Sequence, residues 1–127
     1  MRPVEVMPNV DLLRQIAEAN WNDRLTAADL LEEVRKGTIS VWRIEGASAG
    51  LALLRVEQSP TRRVLILDGL AGHNVVTKGQ AIGQDLETLA RWFGCGSIET
   101  AAHDLRWNFV AKRLGFAPVS VIYERKL

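Results

Sequence analysis

An apolar run that passes through a glycine-containing loop into an amphipathic stretch constrains this chain more than any other feature. Residues 64–67 have strand character, and residues 68–93 continue them through a loop into a helical pattern. The start of that helix, Lys-Gly-Gln-Ala-Ile-Gly over residues 78–83, presents unpaired N–H groups and partial positive charge, which suit a phosphate or pyrophosphate. In the alternative interpretation, Gly79 and Gly83 only permit a tight turn and close packing of the helix on a sheet.

Length and composition exclude several classes of protein. The chain has 127 residues, the size of one domain, and its net charge of +1 predicts neither a nucleic-acid partner nor a membrane partner. One cysteine, Cys95, cannot form an intrachain disulfide, and two histidines provide no zinc-ligand spacing, so no metal site is predicted. No signal-peptide pattern and no apolar run of membrane-spanning length occurs. We therefore expect a cytoplasmic protein.

Helical and strand periods alternate along the chain. Two helical patterns come first, over residues 10–21 and from Thr26, which with Asp29 predicts a capping box. A three-strand meander, the helix after the loop, a short strand, a helix capped by Asp104 and a last strand follow. The predicted strands are 39–44, 51–56, 63–70, 97–101 and 119–125. The order ααβββαβαβ predicts one α/β domain over residues 1–127, with a mixed β-sheet flanked by helices and a parallel pair joined by the third helix.

The element order and two motifs resemble the GNAT superfamily of acyl-CoA-dependent N-acetyltransferases. Residues 78–83 are similar to that family's Arg/Gln-x-x-Gly-x-Gly/Ala pyrophosphate loop. The helix that follows Asp104 and ends in Lys-Arg-Leu-Gly-Phe at Phe116 resembles the family's Asn-x-x-Ala helix with its Lys-Leu-Gly-Phe ending. A narrower resemblance, carried by Leu-Glu-x-Leu-Ala-Arg-Trp, Ser-Ile-Glu and Lys-Arg-Leu-Gly-Phe, is to small GNAT-like proteins encoded by tailed phages.

The resemblance implies a site for acetyl-CoA or another acyl-CoA, without a metal. In family members the loop amides hold the coenzyme A pyrophosphate, and the end of the preceding strand lines the pantetheine arm. The residues implied here are Leu70, Ala71, Lys78, Gly79, Gln80, Ala81, Ile82 and Gly83. Lys78 keeps a cation at the first loop position, whereas Ala81 adds a methyl group where the family has glycine.

Two proton-transfer groups of the family have no counterpart in this chain. Ala111 stands where many members have the tyrosine that protonates the departing thiolate. The strand leading into the loop is apolar around Leu65, where some members have a glutamate base. Any proton transfer would therefore go through water or through other side chains.

Three side chains are candidate catalytic groups for deprotonating an amine. Asp68 ends an apolar strand, where burial raises the pKa of a carboxyl group, or it caps loop N–H groups instead. His73 has a suitable ordinary pKa, or it is a solvated loop histidine. His103 follows a short strand, where α/β folds collect ligands, or it is a surface residue.

Two functions follow from these patterns. The first is transfer of an acetyl group from acetyl-CoA to a primary amine, with an acceptor that no residue identifies. The second is a catalytically inactive GNAT-fold binding or assembly protein, such as a tailed-phage virion or host-interaction component. Its expected partner is a second copy of the chain or a phage structural protein, located in the host cytoplasm or the virion.

Overall fold

The computed structural model describes residues 3–6, 13–14, 26–44, 50–71, 78–101, 105–120 and 123–127. The strands are β1 (Val4–Val6), β2 (Ser40–Ile44), β3 (Gly50–Gln58), β4 (Arg63–Ala71) and β5 (Ser97–Glu99). The helices are α1 (Ala27–Arg35), α2 (Gly79–Trp92) and α3 (Leu105–Arg113). Along the chain these elements follow the order β1, α1, β2, β3, β4, α2, β5 and α3.

The five strands form one mixed sheet in the order β1-β2-β3-β4-β5. Each pair from β1 to β4 is antiparallel, and β4 pairs with β5 in parallel, with Val64 opposite Ser97 and Ile66 opposite Glu99. Helix α2 makes the connection between the two parallel strands, because parallel neighbours need a crossover rather than a hairpin. The predicted α/β fold, with a mixed sheet flanked by helices, is confirmed.

Alternate side chains of the sheet are buried in two apolar clusters, one on each face. One cluster joins Leu54 and Leu65 of the sheet to Ile82 of α2 and the end of α3. The other joins Val41 and Leu53 to Leu30 of α1 and to Leu13. A fully buried leucine contributes about 1.5–3 kcal/mol to stability, so these two layers hold the helices against the sheet.

Local chemistry fixes both ends of α1. The Thr26 hydroxyl accepts a hydrogen bond from the Asp29 N–H at 3.2 Å, and the Asp29 carboxylate accepts one from the Thr26 N–H at 3.1 Å. This is the predicted capping box. At the other end Gly37 adopts a φ of 77°, in the left-handed region that glycine favours.

The two ends of the predicted element order need correction. β1 precedes the first helical pattern and was not expected, because three residues are too short to show a strand period. The strand expected over 119–125 does not form at described residues 119–120 and 123–125. The side chains of Val119 and Tyr123 are 86% and 91% exposed, so nothing packs on them to favour an extended strand in the sheet.

Two further expectations fall wholly or mostly outside the described residues. Of the helix predicted over 10–21, the structure describes Leu13 and Arg14, and both are helical. The predicted N-cap Asp104 lies outside the described residues, and α3 begins at the next position, Leu105.

Candidate functional site

The parallel ladder between β4 and β5 ends well before β4 does. Its last pair joins Ile66 to Glu99, whereas β4 continues to Ala71. At the end of the ladder the Thr100 hydroxyl donates a hydrogen bond to the Leu67 carbonyl at 2.9 Å. The carboxyl end of β4 therefore extends past its parallel neighbour, at the sheet edge where α/β folds bind ligands.

A β-bulge lies in the same part of β4. Leu54 pairs with Leu67 and Leu53 pairs with Gly69, so Asp68 is the extra residue of the bulge. Bulges redirect a side chain and interrupt the ladder locally. In this chain the redirected side chain is the carboxylate predicted as a candidate base.

The Asp68 carboxylate is largely buried and paired with an arginine. Its side chain is 13% exposed, and the Arg55 Nε donates to Asp68 Oδ2 at 2.7 Å. Burial raises the pKa of Asp68 above its ordinary value, and the Arg55 guanidinium opposes that rise. Asp68 thus has a described partner on β3, in addition to the raised pKa expected of a general base.

Asp68 and Arg55 line a cavity of about 1130 Å³ that extends to helix α1. From α1 this cavity is lined by Glu32, Glu33 and Lys36. The Glu33 carboxylate is itself engaged by the Thr38 hydroxyl and by Lys36 at 4.0 Å. The cavity is large enough for a small molecule that carries an amine.

Within the described part of the chain, the start of α2 presents backbone N–H groups without a side-chain cap. Lys78 is the N-cap residue, is exposed, and makes no capping hydrogen bond through its side chain. The Ile82 N–H donates to the Lys78 carbonyl at 3.0 Å and is the first helical amide with an acceptor inside the helix. The amides of the three residues before it in the first turn have no such acceptor. They belong to Gly79, Gln80 and Ala81.

Gly79 and Gly83 place α2 directly against the end of α3. A Cβ atom on Gly79 would lie 2.7 Å from the Arg113 carbonyl oxygen, and one on Gly83 would lie 2.6 Å from that of Leu114. Only glycine fits these two contacts without displacing backbone. Both glycines thus allow another element to pack closely against α2. That element is the end of α3, whereas the prediction was a sheet.

The structure places the predicted site residues in two groups. Asp68, Leu70 and Ala71 end β4, with Leu70 buried in the cluster under α2 and Ala71 packed against the cluster under α1. Lys78 and the residues after it begin α2, where the Ile82 side chain is fully buried in the core. His73 and His103 lie outside the described residues.

Sequence reasoning missed Arg55 and Thr100, which contact the site through partners 13 and 33 residues away in the chain. Ala111 and Leu65, at the two positions where the resemblance would place proton-transfer groups, are buried apolar residues. Within the described residues, no cluster of three His, Cys, Asp or Glu side chains could hold a metal ion. No helix in the same residues is long and apolar enough to cross a membrane.

Solved structures that resemble this chain over its whole length include acetyltransferases. They include an aminoglycoside 6'-N-acetyltransferase from Acinetobacter haemolyticus, 17% identical, with a TM-score of 0.64 over 100% of this chain and 99% of that one. An acetyltransferase from Trypanosoma brucei is 18% identical, with a TM-score of 0.59 over 98% and 99% of the two chains. A glucosamine-6-phosphate N-acetyltransferase from Arabidopsis thaliana is 10% identical, with a TM-score of 0.57 over 99% of each chain.

The fold is that of the GNAT acetyltransferases. No family model and no curated protein matches the chain. At these identities the likeness shows the GNAT fold alone, so the reaction has to be argued from the site. The narrower resemblance to phage-encoded GNAT-like proteins stays a prediction.

Proposed function

We propose that this chain is an N-acetyltransferase that transfers an acetyl group from acetyl-CoA to a primary amine. The observation that carries the proposal is the N-terminus of α2, which has no side-chain cap among the described residues, together with the carboxyl end of β4, which extends past the ladder with β5, in a fold shared with acetyltransferases. A pyrophosphate fits this position because the first-turn amides and the exposed Lys78 ammonium both favour anions. The Ala81 side chain is partly exposed, so its methyl group leaves space at the start of the helix.

The thioester of acetyl-CoA supplies an activated acyl group when it is bound. The chain's own contribution begins with position. The first turn of α2 would hold the phosphates, and the end of β4 that extends past the ladder with β5 would align the pantetheine arm. The Asp68 carboxylate, on the bulge of β4, accepts a proton from the acceptor ammonium, directly or through one water. Its raised pKa makes it a stronger base than an ordinary aspartate.

Arg55 keeps Asp68 in place for this step. Its Nε occupies Asp68 Oδ2 at 2.7 Å, so among the contacts of the described residues Oδ1 is the oxygen left for an incoming amine. The cavity between Asp68 and α1 provides the route by which an acceptor reaches that oxygen. A buried tyrosine acid is not required if water protonates the departing thiolate, which is consistent with Ala111 at the family position.

Calorimetric titration of the full chain with acetyl-CoA tests the binding part of the proposal. We expect saturable binding that Lys78→Glu weakens about tenfold, since a cation beside the phosphates becomes an anion. Lys126→Glu makes the same change of charge on the exposed C-terminal residues and should leave the affinity unchanged. Absence of a saturable signal would refute the coenzyme site, and equal affinity of Lys78→Glu and wild type would refute the pyrophosphate placement.

Release of coenzyme A thiol in the presence of a panel of primary amines tests the catalytic part. Asp68→Asn should lower amine-dependent release by about 10²–10⁴-fold, the usual contribution of a general base, without changing affinity for acetyl-CoA. Glu57→Gln is the matched control, because Glu57 is an exposed carboxylate 3.6 Å from the same Arg55 guanidinium. Saturable binding with no release for any amine would support the inactive GNAT-fold protein instead.

A further inference from the structure

Helix α1 draws the chain away from the second half of β3. β2 begins at Ser40, which pairs with Leu54, whereas β3 continues through residues 55–58. Before Ser40 the chain turns towards α1, because the Thr38 N–H donates to the Glu33 carbonyl at 3.1 Å and the Thr38 hydroxyl donates to the same oxygen at 2.9 Å. Within the described part of the chain, residues 55–58 therefore have a neighbouring strand on one side only, which is β4.

The backbone N–H and C=O of Val56 point out of the sheet at this edge. The Arg63 carbonyl accepts a hydrogen bond from the N–H of the residue before β5 at 3.0 Å, and the Leu67 carbonyl accepts one from the hydroxyl after β5 at 2.9 Å, so both face β5. Backbone direction alternates along a strand, so Leu65, midway between them, faces β5 as well. Val56 pairs with Leu65 in an antiparallel ladder, where the two residues of a pair either face each other or both face away. The backbone of Val56 therefore faces away from β4, towards the open side.

The outward groups of Val56 lie at the cavity that contains Asp68. Val56, Thr38 and Asp68 all line this cavity of about 1130 Å³. Among the described residues, no backbone hydrogen bond reaches the outward N–H or C=O of Val56. A donor and an acceptor on the same residue match the amide groups of an extended peptide, as in strand addition at a sheet edge. The cavity thus combines a main-chain binding position with the candidate base.

We propose that the acceptor is a lysine in an extended peptide whose main chain pairs with Val56. The role of this peptide as acceptor rests on the acetyl transfer proposed above. Asp68 lies at the bulge between the residues that pair with Leu54 and Leu53, which are two and three residues along β3 from Val56. At about 3.3 Å per residue, that separation is roughly 7–10 Å. The four-carbon stem of a lysine, followed by a hydrogen bond of about 3 Å, covers a distance of that size.

The position of β2 decides which amine of the peptide reaches the carboxylate. From Leu54 onward the edge of β3 is occupied by β2, so the main chain of a bound peptide cannot follow this edge as far as Asp68. A long side chain can leave the edge for the side of the sheet where Asp68 contacts Arg55. A lysine side chain therefore fits the site better than the amine at the start of a peptide.

The charge of the cavity lining favours a cationic side chain. The lining contains four carboxylates and two cations, which belong to Asp29, Glu32, Glu33, Asp68, Lys36 and Arg55. This excess of negative charge attracts an ammonium group and repels a carboxylate. A lysine between uncharged residues of high strand propensity suits both the charge of the cavity and the edge of β3.

Amide hydrogen exchange of the full chain, followed by NMR, tests the pairing without acetyl-CoA. The probe is the capped peptide acetyl-Thr-Val-Lys-Val-Thr-amide at millimolar concentration. Pairing should slow exchange of the Val56 amide by about tenfold or more. The Glu57 amide, which faces β4 in the ladder, is the internal control and should not change. The same peptide with methylated backbone amides has lost its donors and should leave Val56 unprotected.

Release of coenzyme A thiol tests whether the bound peptide is the acceptor. We expect kcat/KM for the peptide to exceed that for n-butylamine, which has the amine without the main chain, by about tenfold or more. Val56→Pro removes the outward N–H, keeps the pairing of its neighbours with β4, and should lower the peptide to the level of butylamine. Val56→Ile keeps the N–H and should behave like wild type. The methylated peptide makes the same test on wild type, without relying on a proline variant that folds.

The outcomes separate this proposal from the acetyl transfer on which it rests. Unchanged exchange at Val56 with the peptide overturns the proposal, and so does an equal kcat/KM for the peptide, its methylated form and butylamine. Acetyl transfer to butylamine would stand in both cases. Slowed exchange at Val56 in a chain that does not bind acetyl-CoA would refute the acetyl transfer and the acceptor role, and would support a peptide-binding site alone.

Discussion

Replacing Gly83 by alanine tests the contact that holds α2 against the end of α3. The new Cβ would lie 2.6 Å from the Leu114 carbonyl oxygen, far inside van der Waals contact. The obstacle is backbone, and the Leu114 N–H is tied to the Val110 carbonyl at 3.0 Å. The oxygen cannot rotate away as a side chain could, so the added methyl group must push the two helices apart.

Two opposing effects set the size of the change. Alanine in place of glycine inside a helix stabilises it by about 1 kcal/mol, whereas overpacking costs about 1–3 kcal/mol. Because the obstructing atom belongs to the backbone, we take the upper part of that range and expect Gly83→Ala to lower the free energy of unfolding by about 1–2 kcal/mol. For a domain of this size, each kcal/mol lost from the free energy of unfolding lowers Tm by roughly 3–5 °C.

Urea denaturation followed by circular dichroism measures this free energy directly. Gly96→Ala is the matched control, because a Cβ on Gly96 has no atom within 4 Å and no positive φ opposes it. There we expect no loss, and a gain of up to about 1 kcal/mol from the less flexible unfolded chain. If Gly83→Ala stabilises the protein by about 1 kcal/mol, as at an open helical site, the close packing of Leu114 on α2 is refuted.

Two further predictions concern the end of β4. Since burial raises the pKa of Asp68 in the folded chain, its protonated form favours folding, and wild type should lose stability relative to Asp68→Asn as pH rises from about 4 through the raised pKa. Melting temperatures of both proteins between about pH 4 and 7 check this, and a difference that stays constant with pH contradicts it. Thr100→Val removes the donor to the Leu67 carbonyl and should cost about 1 kcal/mol in urea denaturation. Thr100→Ser, which keeps the hydroxyl, should cost clearly less, and an equal loss for both variants would assign the effect to packing.

The elements that could be predicted from sequence are those fixed by local chemistry. The Leu-Gly-Phe ending of α3 is an example, because the Phe116 N–H donates to the Ala111 carbonyl at 3.0 Å and the Gly115 N–H to that of Lys112 at 3.1 Å. These are the two hydrogen bonds of a Schellman motif, and Gly115 has a φ of 96°. A glycine followed by an apolar residue encodes that ending without help from the rest of the fold.

The parts of the site that could not be predicted depend on contacts between distant segments. The bulge at Asp68 depends on its register against Leu53 and Leu54, which no local pattern encodes. The contact of Arg55 with Asp68 depends on that register as well. The strand expected over 119–125 was wrong for the described residues for the same reason: strand propensity takes effect only where an edge and an apolar surface receive the strand.

The packing of α3 on α2 also bears on how an anion would bind. The carbonyl end of α3, at Arg113, lies against Gly79, so the negative end of one helix dipole meets the positive end of the other. That arrangement offsets part of the positive charge at the α2 amides. An anion bound there therefore needs a cation nearby as well. Lys78, the exposed N-cap residue of α2, is the cation at that position. A variant that pushes α3 away, such as Gly83→Ala, should therefore change stability and acetyl-CoA affinity together, whereas Lys78→Glu should change affinity alone.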